Sequence, residues 1–268
     1  MTERVGVIGA GRMGLPLIGH LARKGFATVA TDLDASRKIA VEGRGAAWAA
    51  DAAAVASVSD VVLVCVGYDH EVRALLQDPG LAARPEAIHA VLSTVHPRTV
   101  QALAAEGSKR GIHVVDATMC RGGRAADEGT LLSFVGGEAA VVERLRPVLA
   151  AFSSDIVHTG GVGSAQVAKA VNNLIMWACL VADHEGLALA QRHGLDVENL
   201  RKALLVSSAA NNALANWGIQ TMAWAEDDMA IVAEMAADYG LSLAQSGVTR
   251  EICRALKPRR YRLDEYGR

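Results

Sequence analysis

The chain has 268 residues, of which 51% are hydrophobic and only 4% are aromatic, and its 27 basic and 29 acidic side chains leave a formal net charge of −2. This length suffices for about two domains, and the composition is typical of a globular protein with a mainly aliphatic core. The near-neutral charge excludes the basic surface that nucleic-acid binding requires, so no nucleic-acid partner is expected.

The cysteines and the apolar segments narrow the class further. Cys65, Cys120, Cys179 and Cys253 lie far apart without a C-x-x-C pair, which predicts neither a zinc site nor a disulfide framework. No signal sequence precedes the first apolar run, and no uninterrupted apolar run approaches the ~18 residues of a membrane helix. We therefore expect a cytoplasmic protein with no metal and no membrane partner.

A glycine-rich turn follows the first predicted strand. Residues 4–8 form a short apolar run, the sequence G-A-G-R-M-G follows, and a helical stretch then extends to about residue 24. Gly9 permits a tight turn, Gly11 lets the backbone approach a pyrophosphate, and Gly14 lets the helix pack on the sheet. The helix N-terminus supplies N–H groups to phosphates. This pattern predicts a dinucleotide site; a turn that only packs the sheet is the alternative.

An acidic residue ends the second predicted strand. Residues 27–31 form another short apolar run, and Asp32 follows it, 18 residues after Gly14. A carboxylate at this place accepts the ribose hydroxyls of NAD and repels the 2′-phosphate of NADP. The sequence therefore favours NAD. Arg37 keeps NADP open as an alternative, because its guanidinium could reach a phosphate.

Strand and helix signals alternate as far as residue 163. Strands are predicted at 61–66, 90–94, 112–115, 130–135 and 156–158, with helices at 99–110 and 138–151. This rhythm indicates an α/β fold with a Rossmann-type, doubly wound and mostly parallel sheet. The remaining residues have no strand signals. They predict helices at 164–193, 196–206, around 211–223, 227–239 and 241–254, with an extended tail from residue 257.

The predicted organisation is thus an NAD-binding Rossmann domain at 1–162 and an all-α domain at 163–268, built on a long interdomain helix. The middle of that helix, residues 174–182, is apolar on every face, which favours burial between two domains or two subunits. We expect a homodimer or homotetramer. Near the start of the helix, Lys169 and Asn173 are four residues apart and share a face. A solvated helix end is the alternative for this pair.

Four stretches resemble the β-hydroxyacid dehydrogenase family, which includes 3-hydroxyisobutyrate dehydrogenase. Residues 7–16 are similar to its G-x-G-x-M-G-x-P opening, and Ser93-Thr94 before His96-Pro97 resembles its S-T-x-x-P segment. Residues 116–122 with the following G-T-L at 129–131 look like its substrate loop D-A-P-V-S-G-G. Residues 163–173 are similar to its G-x-G-x-x-x-K-x-x-N-N helix start. The match covers residues 5 to about 195 and is weaker beyond.

The resemblance implies an NAD-dependent oxidoreductase that transfers a hydride between nicotinamide and the hydroxyl-bearing carbon of a small 3-hydroxy acid or related acidic alcohol. Lys169 would be the catalytic lysine that transfers the hydroxyl proton. The implied substrate-binding residues are Thr94, Cys120, Arg121, Gly122, Gly123, Asn173 and Asp227. The implied cofactor-binding residues are Gly9, Gly11, Arg12, Met13, Gly14, Asp32, Val66 and Thr94.

The chain departs from the family pattern in places that concern the substrate. Cys120-Arg121-Gly122 stands where the family has Ser-Gly-Gly, and Asp227 stands where it usually has a lysine. An arginine suits a carboxylate, sulfonate or phosphate of the substrate, or it forms a salt bridge within the loop itself. The segment at 211–217 is also shorter than usual. These departures argue against naming 3-hydroxyisobutyrate as the substrate.

Two alternative functions stay open. The first is a reductase of a sulfonated aldehyde or an imine with the same fold. The second is a noncatalytic NAD-binding scaffold protein. Imine reductases and scaffold proteins of this fold usually lack the catalytic lysine, so Lys169 weighs against an imine reductase and against a scaffold protein.

Overall fold

A computed structural model describes residues 3–82 and 84–267 of the chain. The chain divides into two compact units, Met1–Lys169 and Ala170–Arg268, so the division falls inside one long helix. The predicted domain boundary between residues 162 and 163 lies just before the same helix. Each unit is described separately below.

The first unit is built on one sheet of eight strands. These strands are β1 (Arg4–Ile8), β2 (Ala27–Thr31), β3 (Ala47–Trp48), β4 (Val61–Val64), β5 (Ile88–Val91), β6 (His113–Cys120), β7 (Leu131–Gly136) and β8 (Ser153–Gly160). Their spatial order is β3-β2-β1-β4-β5-β6-β7-β8. Neighbouring strands are parallel except for the antiparallel pair β6–β7. The predicted Rossmann-type, mostly parallel sheet is confirmed.

Helices cover this sheet. They are α1 (Gly14–Arg23), α2 (Lys38–Gly43), α3 (Ala52–Val58), α4 (Asp69–Gln77), α5 (Pro97–Lys109), α6 (Gly122–Glu128) and α7 (Ala139–Leu149). The neighbours Val7 and Ile8 of β1 belong to two different buried apolar clusters. Because successive side chains of a strand point to opposite faces, both faces of the sheet are buried, as a doubly wound fold requires.

Strand β6 is longer than the sequence indicated. A strand was predicted only at 112–115, with a loop from Asp116 onward, but residues 116–120 continue as strand and pair with residues 132–136 of β7. The prediction was wrong here because β7 supplies hydrogen-bond partners that local sequence does not reveal. The short elements β3, α2, α3, α4 and α6 also escaped prediction.

The second unit is helical. Helix α8 (Ser164–Arg192) crosses the division between the units, and α9 (Val197–Leu204), α10 (Asn212–Ala215), α11 (Ala225–Asp238) and α12 (Ala244–Leu256) follow. Its main apolar cluster includes Trp177, Leu180 and Met229. The extended tail that we predicted is wrong. The residues after α12 form two short 3₁₀ turns and bury Leu263, and the Tyr266 hydroxyl donates to Glu185 Oε1 at 2.8 Å.

Helix α8 is less completely buried within one chain than its apolar sequence indicated. Val171, Ile175 and Leu189 are 51%, 58% and 61% exposed. By length and composition alone this helix could cross a membrane, since one 18-residue window has a mean hydropathy of 1.3. Of that window, 39% is buried. The uninterrupted apolar run within this helix, residues 174–182, is much shorter than that window. The core helix of a soluble protein has the same composition, so the property is weak evidence for a membrane.

Candidate active site

The glycine turn joins β1 to α1 at the carboxyl edge of the parallel strands. Gly9 has φ +101°, and a Cβ there would overlap the carbonyl group of Cys65. A Cβ at Gly14 would lie 3.0 Å from the carbonyl carbon of Gly9 and closer still to its oxygen. A Cβ at Gly11, in contrast, would have no heavy atom within 4 Å. The turn thus needs two glycines for its own packing and leaves open space at the third, as a pyrophosphate requires.

Asp32 is fixed immediately beside this turn. Its Oδ2 accepts a hydrogen bond from the backbone N–H of Ala10 at 2.6 Å, and its Oδ1 accepts one from that of Asp34 at 2.9 Å. Arg37, the source of doubt about NADP, lies 3.5 Å from the carboxylate of Asp34. The carboxylate of Asp32 is thus held at the glycine turn, and the guanidinium of Arg37 lies beside Asp34. The residues fit a nicotinamide dinucleotide.

The side chain of Arg12 connects the glycine turn to α6. Its guanidinium donates to both carboxylate oxygens of Asp127, at 2.9 and 2.6 Å. It also lies over Gly123, where an added Cβ would come within 2.6 Å of Arg12 Nη2. Met13, which follows Arg12, packs half-buried against the apolar core. The structure thus brings a predicted cofactor residue and a predicted substrate residue into contact.

A buried carboxylate holds the start of α8. Asp116 is fully buried; its Oδ1 accepts from the N–H of Gly163 at 2.8 Å and its Oδ2 from that of Gln166 at 3.0 Å. Burial raises the pKa of Asp116 above its ordinary value, although these N–H donors act in the opposite direction. The Thr118 hydroxyl donates to Ala165 O at 3.0 Å. Strand β6 therefore fixes the first turn of the helix that carries Lys169.

The half-buried side chain of Lys169, from α8, lies beside the carboxyl end of β6. Its Nζ donates to the carbonyl oxygen of Met119 at 2.7 Å and is 4.0 Å from Cys120 Sγ. Met119 and Cys120 belong to the predicted substrate loop at residues 116–122, whose last residue, Gly122, begins α6. The predicted catalytic lysine and the predicted substrate loop thus meet within the first unit.

The loop after β5, which carries Thr94, is tied to its surroundings on both sides. The Ser93 hydroxyl bonds the N–H of Val66 at 3.0 Å and the carbonyl of Val66 at 2.8 Å. The side chain of Gln166 bonds Ser93 O at 2.9 Å and the N–H of Val95 at 3.0 Å. Thr94 itself is half-buried. This loop therefore links the end of β4 to the start of α8.

Arg121 is held by the strands beside it. Its backbone has the left-handed φ of +81°, which is uncommon for a residue other than glycine. The guanidinium donates to Thr130 O at 2.9 Å and to Ser154 Oγ at 2.8 Å, and it forms an ion pair with Asp155 at 2.8 Å. Arg121 thus forms a salt bridge, but with Asp155 of β8 rather than within the loop itself as the alternative interpretation had it. A contact of Arg121 with the substrate stays a prediction.

Two further predicted site residues belong to the second unit. Asn173 is buried, and its Oδ1 accepts from Asn172 Nδ2 at 3.0 Å. It follows Lys169 by one helical turn of α8. Asp227 is exposed in the first turn of α11, and the neighbouring Asp228 is buried and accepts from Trp177 Nε1 at 2.8 Å.

Three polar residues whose roles no sequence motif indicated organise this region. Asp116 was noted only as part of a motif, and Gln166 and Asp127 were not noted for their side chains. The acidic charge of Asp127 carried no local signal, because its partner Arg12 is 115 residues away. In the part of the chain that the structure describes, no group of three or more His, Cys, Asp or Glu is arranged to hold a metal ion.

Two family models match the chain. Residues 4–161 match the NAD binding domain of 6-phosphogluconate dehydrogenase, and residues 163–265 match the NAD-binding domain of NADP-dependent 3-hydroxyisobutyrate dehydrogenase. The fold, the glycine turn and these matches define an NAD(P)-dependent dehydrogenase of the 3-hydroxyacid type.

Curated relatives agree with this class. The chain is 32% identical to 3-hydroxyisobutyrate dehydrogenase of Pseudomonas aeruginosa, over 92% of this chain and 86% of the relative. It is 31% identical to NAD-dependent L-serine dehydrogenase of the same organism, over 90% and 84%. It is 30% identical to 2-(hydroxymethyl)glutarate dehydrogenase of Eubacterium barkeri, over 79% and 71%. The chain therefore belongs to the β-hydroxyacid dehydrogenase family, as its motifs implied.

Solved structures with the same fold have lower sequence identity. Mycobacterium tuberculosis 3-hydroxyisobutyrate dehydrogenase with L-serine has a TM-score of 0.87 at 23% identity, over 97% of this chain and 95% of that chain. An imine reductase from Myxococcus stipitatus has a TM-score of 0.72 at 19% identity, over 96% and 94%. At these identities the likeness establishes the fold alone.

Proposed function

We propose that the protein oxidises, reversibly and with NAD, a hydroxyl group on the carbon β to a carboxylate, and that Lys169 carries the proton. The observation that supports this proposal most is the position of Lys169. Its Nζ lies 2.7 Å from Met119 O, within the predicted substrate loop, on a helix whose first turn is fixed by a buried carboxylate. Such placement suits a group that must meet one hydroxyl in one orientation.

The chemistry divides between cofactor and protein. When bound, the nicotinamide of NAD⁺ supplies the hydride acceptor. The substrate carbon loses a hydride and its hydroxyl loses a proton, so the products are a carbonyl compound, NADH and one proton. Lys169 Nζ takes the hydroxyl proton and returns it in the reverse direction. Thr94 and the loop at residues 119–123 would hold the substrate, and Asn173 would orient it from the next turn of α8.

We infer a preference for NAD over NADP from Asp32. Its carboxylate, fixed by two backbone N–H groups, would accept the ribose hydroxyls and repel a 2′-phosphate. Asp32→Ala should therefore reduce the ratio of NAD affinity to NADP affinity. An unchanged ratio in a titration of both reduced cofactors would reject this preference.

The substrates named in the three curated relatives share one chemical unit. L-serine, 3-hydroxyisobutyrate and 2-(hydroxymethyl)glutarate each carry a hydroxymethyl group on the carbon that bears a carboxylate. They differ only in the third substituent of that carbon. We propose the same unit for this chain, with a third substituent that differs because Asp227 and Arg121 depart from the family pattern.

A substrate panel and one lysine variant test the function. The panel comprises these three acids and a hydroxysulfonate, each assayed by NAD reduction. Lys169→Ala should lower kcat by at least ~100-fold while NADH binds nearly as before, because a positioned acid–base group contributes about this much. Lys109→Ala, which removes an exposed lysine of α5, is the matched control and should keep full activity. Near wild-type turnover of Lys169→Ala would remove Lys169 from the mechanism.

The same panel separates the alternatives. A hydroxysulfonate as the best panel member would favour the alternative function of a sulfonated-aldehyde reductase. NADH binding without turnover of any panel member would favour a noncatalytic scaffold. The predicted homodimer or homotetramer is supported by exposed Val171, Ile175 and Leu189 on α8 and is measured by light scattering. A cytoplasmic location stays a prediction.

A further inference from the structure

We propose that Gln166 is a positioning residue of the reaction, because its side-chain amide sets the place of Thr94 relative to Lys169. This inference rests on the proposed role of Lys169 as proton carrier. It concerns residues of the first unit only.

The side-chain amide of Gln166 forms hydrogen bonds with the backbone on both sides of Thr94. Gln166 is 1% exposed. Its Nε2 donates to Ser93 O at 2.9 Å, and its Oε1 accepts from the N–H of Val95 at 3.0 Å. These two backbone groups belong to the peptide bonds before and after Thr94. One side chain therefore fixes both peptide units that flank a residue predicted to face cofactor and substrate.

The backbone of Gln166 is fixed just as firmly. Its N–H donates to Asp116 Oδ2 at 3.0 Å, and the other oxygen of Asp116 accepts from Gly163 at 2.8 Å. Lys169 follows three residues later in the same helix, and residues three apart are neighbours on a helix surface. A short, buried path thus runs from Thr94 through Gln166 to Lys169. This path fixes the position of Thr94, predicted to face the cofactor and substrate, relative to Lys169, the proposed proton carrier.

A glutamine suits this position because it offers one donor and one acceptor at the same end and does not ionise. Methionine has nearly the same length but makes neither bond. A carboxylate would accept from Val95 but oppose the oxygen of Ser93. A protonated carboxyl group would again offer one donor and one acceptor. Since misplacement by about 1 Å can slow a reaction roughly 100-fold, loss of these bonds should lower turnover more than binding.

The first test is Gln166→Met, with Gln101→Met as the matched control. Gln101 is exposed, and its Nε2 bonds Val162 O at 3.2 Å just before α8. We expect Gln166→Met to lower kcat at least about tenfold. The NADH dissociation constant should stay within about threefold of the wild-type value, and the primary deuterium isotope effect should rise. The isotope effect uses the fastest panel acid, deuterated at its hydroxyl-bearing carbon. A merely structural role would lower the melting temperature without changing the isotope effect.

The second test is Gln166→Glu, which also serves if the methionine variant fails to fold. Burial and the carboxylate of Asp116 raise the pKa of the introduced carboxyl group, while the charge of Lys169 acts in the opposite direction. The ratio of its kcat to the wild-type kcat should increase as the pH falls from 8 to 6, roughly fivefold or more. The corresponding ratio for Gln166→Met should stay flat.

Two outcomes would overturn the inference. One is a kcat of Gln166→Met within about twofold of the wild-type value, and the other is a pH-independent ratio for Gln166→Glu. Lys169→Ala keeps this failure apart from that of the proposed function. Inactive Lys169→Ala with fully active Gln166→Met rejects only the positioning role, whereas active Lys169→Ala rejects the proposed role of Lys169 as proton carrier.

Discussion

Alanine substitutions at Gly11 and Gly14 should separate cofactor binding from folding within a single turn. At Gly14 the new Cβ would lie 3.0 Å from the carbonyl carbon of Gly9 and closer to its oxygen, so backbone must move. At Gly11 the new Cβ would meet no heavy atom within 4 Å. Both changes add one methyl group, but only the first adds it to filled space.

The expected magnitudes follow from this difference. Overpacking of this kind costs about 1–3 kcal/mol of unfolding free energy. For a domain of this size each 1 kcal/mol lowers Tm by about 2–4 °C, so Gly14→Ala should lose roughly 2–12 °C. Gly11→Ala should change the stability by less than about 1 kcal/mol. It should weaken NADH binding at least tenfold, or by ~1.4 kcal/mol, because the methyl group fills the space of the pyrophosphate.

Differential scanning fluorimetry without cofactor and calorimetric titration with NADH measure the two effects. If Gly11→Ala binds NADH within twofold of the wild-type protein, the turn does not hold the pyrophosphate as we infer. If Gly11→Ala loses as much Tm as Gly14→Ala, the space around Gly11 is not open. Unchanged Tm in Gly14→Ala would contradict the packing argument.

Three further substitutions test individual groups. Although burial opposes the shift, bonds to two arginines lower the pKa of Asp60 to about 2. Asp60→Asn should therefore lower the free energy of unfolding by about 2 kcal/mol at pH 7, as measured by denaturant titration. This difference from the wild-type protein should disappear as the pH falls from 4 to 2. Burial and a nearby arginine lower the pKa of His89 to about 4. Because the unfolded chain then binds a proton more readily than the folded one, the free energy of unfolding should fall by about 3 kcal/mol as the pH drops from 6.5 to 4. The variant His89→Leu should not show this fall. Trp177→Phe removes the 2.8 Å bond to buried Asp228 and should cost about 1–3 kcal/mol in thermal unfolding.

The part of the site that sequence predicted is the part encoded by neighbouring residues. The glycine turn and Asp32 lie within two dozen residues, and each has one physical reason to be that residue at that spacing. Lys169 and Asn173 share one helical face for the same local reason. The alternation of short apolar runs with helices was likewise sufficient for the confirmed sheet architecture.

The part that sequence missed depends on pairs that are distant in the chain. Gln166 bonds partners 71 and 73 residues away, and Arg12 bonds Asp127 across 115 residues. No spacing rule connects such residues, because their proximity is produced by the strand order β1-β4-β5-β6-β7 rather than by a local repeat. The continuation of β6 past Asp116 was missed for the same reason, since it depends on pairing with β7.

The two arginines of the site change how substrate recognition should be understood. Both are cations beside a loop predicted to receive an anion, but the sequence predicted only Arg121 as its partner and assigned Arg12 to the cofactor. In the structure each is neutralised by an aspartate, Asp127 at 2.6 Å and Asp155 at 2.8 Å. Both ion pairs are solvent-exposed and contribute little to stability, so a substrate carboxylate could replace either aspartate at little cost. We therefore expect selectivity for the acid group to depend on the difference between two weak ion pairs rather than on a free positive charge.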